Sequence, residues 1–215
     1  MPRVVELRQY TLHPGRRDEL IELFDREFVE SQEALGIRVL GQFRDLGAPD
    51  RFVWVRDFED MTSRAAALTA FYSGPAWQAH RQAANATMID SDDVLLLRPF
   101  GPGFAVDPAV RDVTPASLVL ATVYQPAEPA GFGPLLTGLQ ALLEKAGAIL
   151  LGQLETEPAA NNFPALPVRT GENVFVWLAS FPDEQAIAEW TAIEPDLPAR
   201  VTRLELAPTA RSLLR

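Results

Sequence analysis

The chain contains no cysteine, which excludes disulfides, thiol nucleophiles and thiolate metal sites. It has two histidines, His13 and His80, so side chains that titrate near neutrality are scarce. Positive charge is also short: 19 Lys and Arg against 29 Asp and Glu leave a formal charge of −10. That balance argues against nucleic acid, whose affinity rests on neutralised phosphates, and against anionic membrane surfaces. No apolar run approaches the length of a membrane span. The N-terminus moves straight into a strand-like stretch and leaves no room for a signal or transit peptide, so the expected location is cytoplasmic. Neither a phosphate-binding glycine motif nor a G-x-S-x-G elbow occurs, which removes nucleotide-binding and serine-hydrolase readings.

What is present is an ordinary globular composition, 47% apolar and 22% charged over 215 residues, enough to bury a real core. Val4–Tyr10 reads as a strand closed by the turn His13-Pro14-Gly15. An amphipathic helix follows from Arg16 to about Leu35, with Leu20, Leu23, Phe24, Phe28 and Leu35 as its buried stripe and Gly36 as its stop. Ile37–Arg44 and Phe52–Phe58 are strands. Asp60 or Thr62 caps a helix through Arg64–Phe71, an alanine-rich cover for the sheet. Gly74 and Pro75 then start a second short helix, on which Trp77, His80, Ala84 and Met88 share one stripe. Asp93–Arg98 closes the half as a strand. The order β-α-β-β-α-β is the split βαβ, ferredoxin-like arrangement, an α+β class.

The Pro- and Gly-rich stretch 101–115 reads as a linker between a first repeat at 1–100 and a second, degenerate one at 116–215. In the second, Leu118–Gln125, Ile149–Glu155, Asn173–Phe181 and Val201–Ala207 are strands, and Phe132–Ala146 and Asp183–Trp190 are helices. Two short identities set the register: Leu40-Gly41-Gln42 with Leu151-Gly152-Gln153, and Phe52-Val53-Trp54 with Phe175-Val176-Trp177. The spacing between them is longer in the second half, and the difference is an insertion at Glu157–Val168. Each half alone has little core, so the sheets are expected to bury their second faces against other sheets.

The stretch Glu6–Gly15, the Phe52-Val53-Trp54 strand and the run from Trp77-Gln78-Ala79-His80-Arg81 to Asp90–Pro99 resemble the NIPSNAP family. The resemblance covers the first half well and the second through the repeat. It implies a dimeric α+β barrel type of architecture, in which two ferredoxin-like sheets face each other around a cavity. The two sheets can come from the two halves of one chain or from two subunits, and a homo-oligomer is expected. Relatives sharing that barrel include cofactor-independent monooxygenases, small haem enzymes and proteins of no known activity, so the family name carries fold rather than mechanism.

Strand alternation divides the first half into two sets. Val5, Leu7, Val53 and Val55 suit packing under the Phe24/Phe28 helix, which leaves Glu6, Arg8, Tyr10, Phe52, Trp54 and Arg56 to face the cavity. Through the repeat, Glu6, Arg8 and Arg56 correspond to Leu120, Thr122 and Ala179, while Tyr10 and Trp54 keep their types as Tyr124 and Trp177. Charges present in one copy only point to a ligand or partner; the alternative is that they pair with one another across the sheet. His80 is either a general base or a core histidine bonded to a backbone carbonyl. His13 reads as a turn residue, and Asp90, Asp92 and Asp93 as solvated turn carboxylates in place of a metal site. Haem ligation by His80 has only family analogy behind it.

The expected function is binding of a small apolar or aromatic molecule in a first-half cavity, with no cofactor or metal. Were it an enzyme, a cofactor-independent oxygenase or isomerase is the form, with His80 as base, Arg8 and Arg56 stabilising an anion, and Glu6, Tyr10, Trp54 and Trp77 shaping the pocket. The alternative is a non-catalytic assembly or binding module.

Overall fold

A computed structural model describes residues 3–101, 103–126, 138–195 and 197–215. The first half runs β1 (Val4–Leu12), α1, β2 (Arg38–Asp45), β3 (Arg51–Phe58), α2 (Met61–Ser73), α3 (Pro75–Asn85) and β4 (Met88–Pro99). Helix α1 is continuous from Arg17–Leu23 through a π-helical turn at Phe24–Phe28 to Val29–Glu33. The second half runs β5 (Leu118–Pro126), α4 (Leu139–Lys145), β6 (Ile149–Thr156), β7 (Phe175–Phe181), α5 (Glu184–Ile193) and β8 (Ala199–Pro208). The expected start of α4 at Phe132, with Leu135 and Leu136, lies outside the described residues. Among the described residues no helix is long and apolar enough to cross a membrane.

The helix starts follow their capping chemistry. Asp60 accepts from the Ser63 N–H and Asp183 from the Ala186 N–H, two residues after the end of β3 and of β7 respectively. Helix α3 begins with Gly74 as N-cap and Pro75 in its first turn. Gly36, at φ +82°, follows α1. Met88 opens β4 instead of closing α3, and Asp90, Asp92 and Asp93 lie on that irregular strand, not in a turn.

The eight strands form one closed barrel in the order β1-β3-β2-β8-β5-β7-β6-β4. Each half contributes a four-stranded antiparallel sheet, so both sheets of the α+β barrel come from a single chain. The halves join at two equivalent seams of three residue pairs each, β2 with β8 and β4 with β6. The repeat aligns strand for strand: Glu6 faces Arg56 as Leu120 faces Ala179, and Tyr10 faces Phe52 as Tyr124 faces Phe175. The Leu-Gly-Gln identity has a structural cause. Gly41 and Gly152 sit at register shifts in β2 and β6. The next residue's carbonyl extends each seam, Gln42 accepting from Thr209 N–H and Gln153 from Phe100 N–H, both at 2.8 Å.

The barrel interior corrects the expected facing of the strands. Val5, Leu7, Val53 and Val55 point inward and pack with Val119, Ala121, Val176, Leu178, Leu204 and Leu206 into a solid aliphatic core. Glu6, Arg8 and Arg56 are wholly buried on the other face with Tyr10 and Trp54, beneath α1, α2 and α3. Facing sheets interdigitate about 10 Å apart and leave no room for charge, whereas a helix layer on a sheet opens at its ends. The space between the sheets is therefore filled, and the first-half cavity lies between sheet and helices.

The connection from β4 to β5 is docked on the barrel. The Phe104 ring enters the core, and Arg111 bonds the Glu33 carboxylate and the Val39 carbonyl. The C-terminal Leu213 and Leu214 N–H groups both donate to the Leu40 carbonyl at 2.9 Å, and Leu214 joins the core.

Candidate functional site

The site is built on the outer face of the first sheet. Tyr10 from β1 and Trp54 from β3 form its floor, their rings edge-on at 5.9 Å. The π-helical turn of α1 sets Phe24 against Trp54 at 4.8 Å and Phe28 against Trp77 at 5.6 Å. Such a turn carries one residue more than an α-turn, so the stripe beyond it is displaced. Gln32 is buried in consequence, while Leu35, expected inside, is exposed. The Ser31 hydroxyl and Gln32 amide donate to the Glu27 and Phe28 carbonyls of the turn, at 2.6 and 2.8 Å.

A cavity of about 330 Å³ lies between these elements. Tyr10 and Trp54 line it from the sheet, Phe24, Phe28 and Gln32 from α1, Phe71 and Tyr72 from α2, and Trp77 from α3. Phe163 and Leu166 of the second half close it. Asn85 and Ser91 add polar groups. Its volume is at the small end of the roughly 300–1,000 Å³ of ligand pockets.

Beside the floor, on the same face of the sheet, lies a buried ionic cluster. Glu6 accepts from three arginines: Arg8 Nη1 at 2.7 Å, Arg56 Nε at 2.8 Å and Arg64 Nε at 2.7 Å. The second terminal nitrogens of Arg56 and Arg64 also stand 2.7 Å from its oxygens. Burial alone pushes the Glu6 carboxyl up, but Arg56, Arg8 and Arg64 outweigh it and hold the group well below the usual carboxylate range. Three guanidinium charges meet one carboxylate, and the surplus is faced by neutral oxygens. Arg8 Nε donates to the Tyr10 hydroxyl at 3.0 Å and Arg56 Nη1 to the Gln32 Oε1 at 3.0 Å. Arg64 Nη1 donates to the Asn161 and Asn162 side-chain oxygens at 3.0 and 2.8 Å. The Trp54 ring sits 4.8 Å from the Arg56 guanidinium and 5.6 Å from that of Arg8.

The arginines are thus one hydrogen bond removed from the cavity, Arg8 through Tyr10 and Arg56 through Gln32. The Tyr10 oxygen accepts from Arg8, which leaves its own O–H to donate and makes it a stronger donor. Burial pushes the Tyr72 phenol above its ordinary pKa, so that side chain is a neutral hydroxyl at neutral pH.

Of the residues singled out from sequence, Glu6, Arg8, Tyr10, Trp54 and Arg56 come together, and Trp77 joins them across the cavity. The charges pair with one another, as the alternative reading had it, while their neighbours line an open space. His80 stands apart: it does not line the cavity, its side chain is 32% exposed, and its Nε2 lies 3.3 Å from Glu27 Oε2. His13 is in the exposed turn. Among the described residues no group of three or more His, Asp or Glu side chains is placed to hold a metal ion.

Sequence reasoning missed Arg64, Gln32, Tyr72 and the Asn161-Asn162 pair. Arg64 had a readable signal, since it shares the buried helical stripe of α2 with Ala67, Leu68 and Phe71. Gln32 had a weaker one: it stands four residues after Phe28 at the edge of the stripe, and the π-helical turn brings it inward.

Residues 5–102 match the NIPSNAP family model. A candidate monooxygenase from Lactobacillus acidophilus has a similar fold over 97% of this chain and 94% of its own, at TM-score 0.60 and 11% identity. A candidate monooxygenase from Fusobacterium nucleatum is similar over 96% and 92%, at TM-score 0.60 and 8% identity. A NIPSNAP-like domain protein from Burkholderia xenovorans is 26% identical over 49% of this chain and 92% of its own, at TM-score 0.44. No curated protein gives a significant match. The match to the NIPSNAP family thus lies in the first half of the chain.

Proposed function

We propose that the first-half cavity binds a small aromatic molecule carrying one oxygen function. The observation that carries this reading is an aromatic-walled space beside a buried cationic cluster, found among the described residues in the first half only. Among the described residues of the second half, Trp177 meets Trp190 edge-on at 5.6 Å, and Leu120 and Ala179 stand in place of the charges. The apolar walls supply affinity, and the Tyr10 hydroxyl, polarised by Arg8, orients the ligand oxygen.

Two neighbours of the same fold are described as candidate monooxygenases. A cofactor-independent oxygenase or isomerase acting on a phenol or enol is the corresponding catalytic form, with Tyr10 and Arg8 meeting charge that develops on the oxygen. The position of His80, beside Glu27 and outside the cavity lining, favours the second reading, a binding module without a base of its own.

The test is titration of 1-naphthol and naphthalene, followed by tryptophan fluorescence. Tyr10→Phe removes one hydrogen bond and is expected to weaken 1-naphthol about three- to tenfold while leaving naphthalene unchanged. Equal losses for both ligands, or no binding by the unaltered protein, would count against the reading.

A further inference from the structure

The insertion in the second half has no role in the repeat itself. The β2–β3 connection of the first half spans residues 46–50, and the equivalent β6–β7 connection spans 157–174. This longer segment leaves its own half. The Glu157 N–H donates to the Leu96 carbonyl at 3.0 Å and the Arg169 N–H to the Val94 carbonyl at 2.9 Å, so both ends are clamped to β4. Between the clamps the chain runs over the helices of the first half.

We infer that this insert is the outer wall of the first-half cavity, seated by Arg64, and that it sets the size of ligand admitted. Four observations converge. Phe163, Ala165 and Leu166 line the cavity. Phe163 stacks on Tyr72, with ring centres 6.0 Å apart and planes 26° from parallel. The turn that presents them is internally braced, with the Leu166 N–H donating to the Phe163 carbonyl and the Asn161 amide to the Leu166 carbonyl, at 3.1 and 2.9 Å. Asn161 and Asn162 both accept from Arg64, whose other nitrogens hold Glu6, and the Asn162 amide reaches the Met61 carbonyl at the start of α2.

The wall is cheap to displace compared with the rest of the site. Its polar contacts to α2 are two hydrogen bonds from the buried Arg64 to neutral amides and one from the Asn162 amide to the Met61 carbonyl, and Asn162 is exposed. The floor and the α1 wall are fully buried parts of the hydrophobic layer, against which Phe163 and Leu166 pack from outside, partly buried. Selectivity by size therefore resides in the second repeat, while the oxygen-directed contacts reside in the first. The inference rests on the cavity being a binding site only for its statement about ligands.

The test uses the full chain with Phe163→Ala and with the double variant Asn161→Ala, Asn162→Ala. Acrylamide quenching of tryptophan fluorescence reports access to Trp54 and Trp77 without any ligand. Both variants are expected to raise the quenching slope at least twofold, and hydrogen exchange in 157–168 to rise at least tenfold in the double variant with β1 and β3 unchanged. The affinity ratio of 1-hydroxypyrene to 1-naphthol is expected to rise at least tenfold in Phe163→Ala. Unchanged quenching and exchange in the double variant would overturn the wall, and an unchanged ratio in Phe163→Ala would overturn its part in selection. Raised quenching and exchange in a protein that binds neither probe would support the wall while refuting the binding reading above.

Discussion

Glu6 is the residue on which the outer face of the first sheet depends. It is wholly buried, and among the described residues it alone supplies carboxylate oxygens to Arg8, Arg56 and Arg64. Breaking a buried ion pair from one side strands the other charge, which costs about 3–5 kcal/mol. Glu6→Gln is therefore expected to lose at least that much in urea denaturation at pH 7, because three guanidinium groups are stranded. The pH dependence follows from the depressed Glu6 pKa. Its contribution is complete above the unfolded value of about 4.3 and declines as pH falls below it, until the folded value is passed. Glu6→Gln should flatten the stability slope below pH 4.3 by one proton. A loss under about 1 kcal/mol, with the slope unchanged, would show that the cluster is not held this way.

At the scale of the element, two glycines show how a strand irregularity is kept. A Cβ at Gly41 would stand 2.5 Å from the Phe43 ring, which is locked in the barrel core, with Leu214 at 3.4 Å behind it. A Cβ at Gly152 would meet the Phe104 ring, also at 2.5 Å, but Phe104 is carried by the β4–β5 connection, outside regular strand or helix. Overpacking in a tight core costs about 1–3 kcal/mol. Gly41→Ala is expected at the upper end and Gly152→Ala at the lower, because the Phe104 ring has a loop that can give way. Thermal unfolding of the two variants decides it, and equal losses would mean that the connection is as rigid as the strand. Helix α1 makes the companion point about periodicity. A 3.6-residue pattern carried through to Leu35 fails because the Phe24–Phe28 turn is wider, and the same turn delivers Gln32 to Arg56.

For the whole molecule, the two sheets bury their aliphatic faces against each other within one chain. A partner subunit is not needed to cover them. The seams are short, three residue pairs each, so most of what joins the halves is the interior packed from both sheets. A first half expressed alone, ending after β4, would present Val5, Leu7, Val53, Val55, Leu95 and Leu97 to water. It is expected to self-associate through that face, as light scattering after gel filtration would show, while the insert's contribution to the cavity is lost. A stable monomer at micromolar concentration would contradict the burial of that face as the bond between halves.

Residue pattern alone determined the β-α-β-β-α-β order, the tandem repeat and the Gly74-Pro75 helix start, and narrowed the α2 cap to Asp60 or Thr62, because these depend on local backbone chemistry and spacing. It also placed Glu6, Arg8 and Arg56 together with Tyr10 and Trp54, since alternation along paired strands needs only period two. It could not say which face was which. Both faces of this sheet are covered, one by helices and one by the other sheet, so burial carries no sign that distinguishes them. Nor could it place Asn161, Asn162 and Phe163 on a site some hundred positions earlier in the chain, or separate His80 from that site. Those outcomes depend on how the halves close on each other and on where one helix widens, and only the tertiary structure decides them.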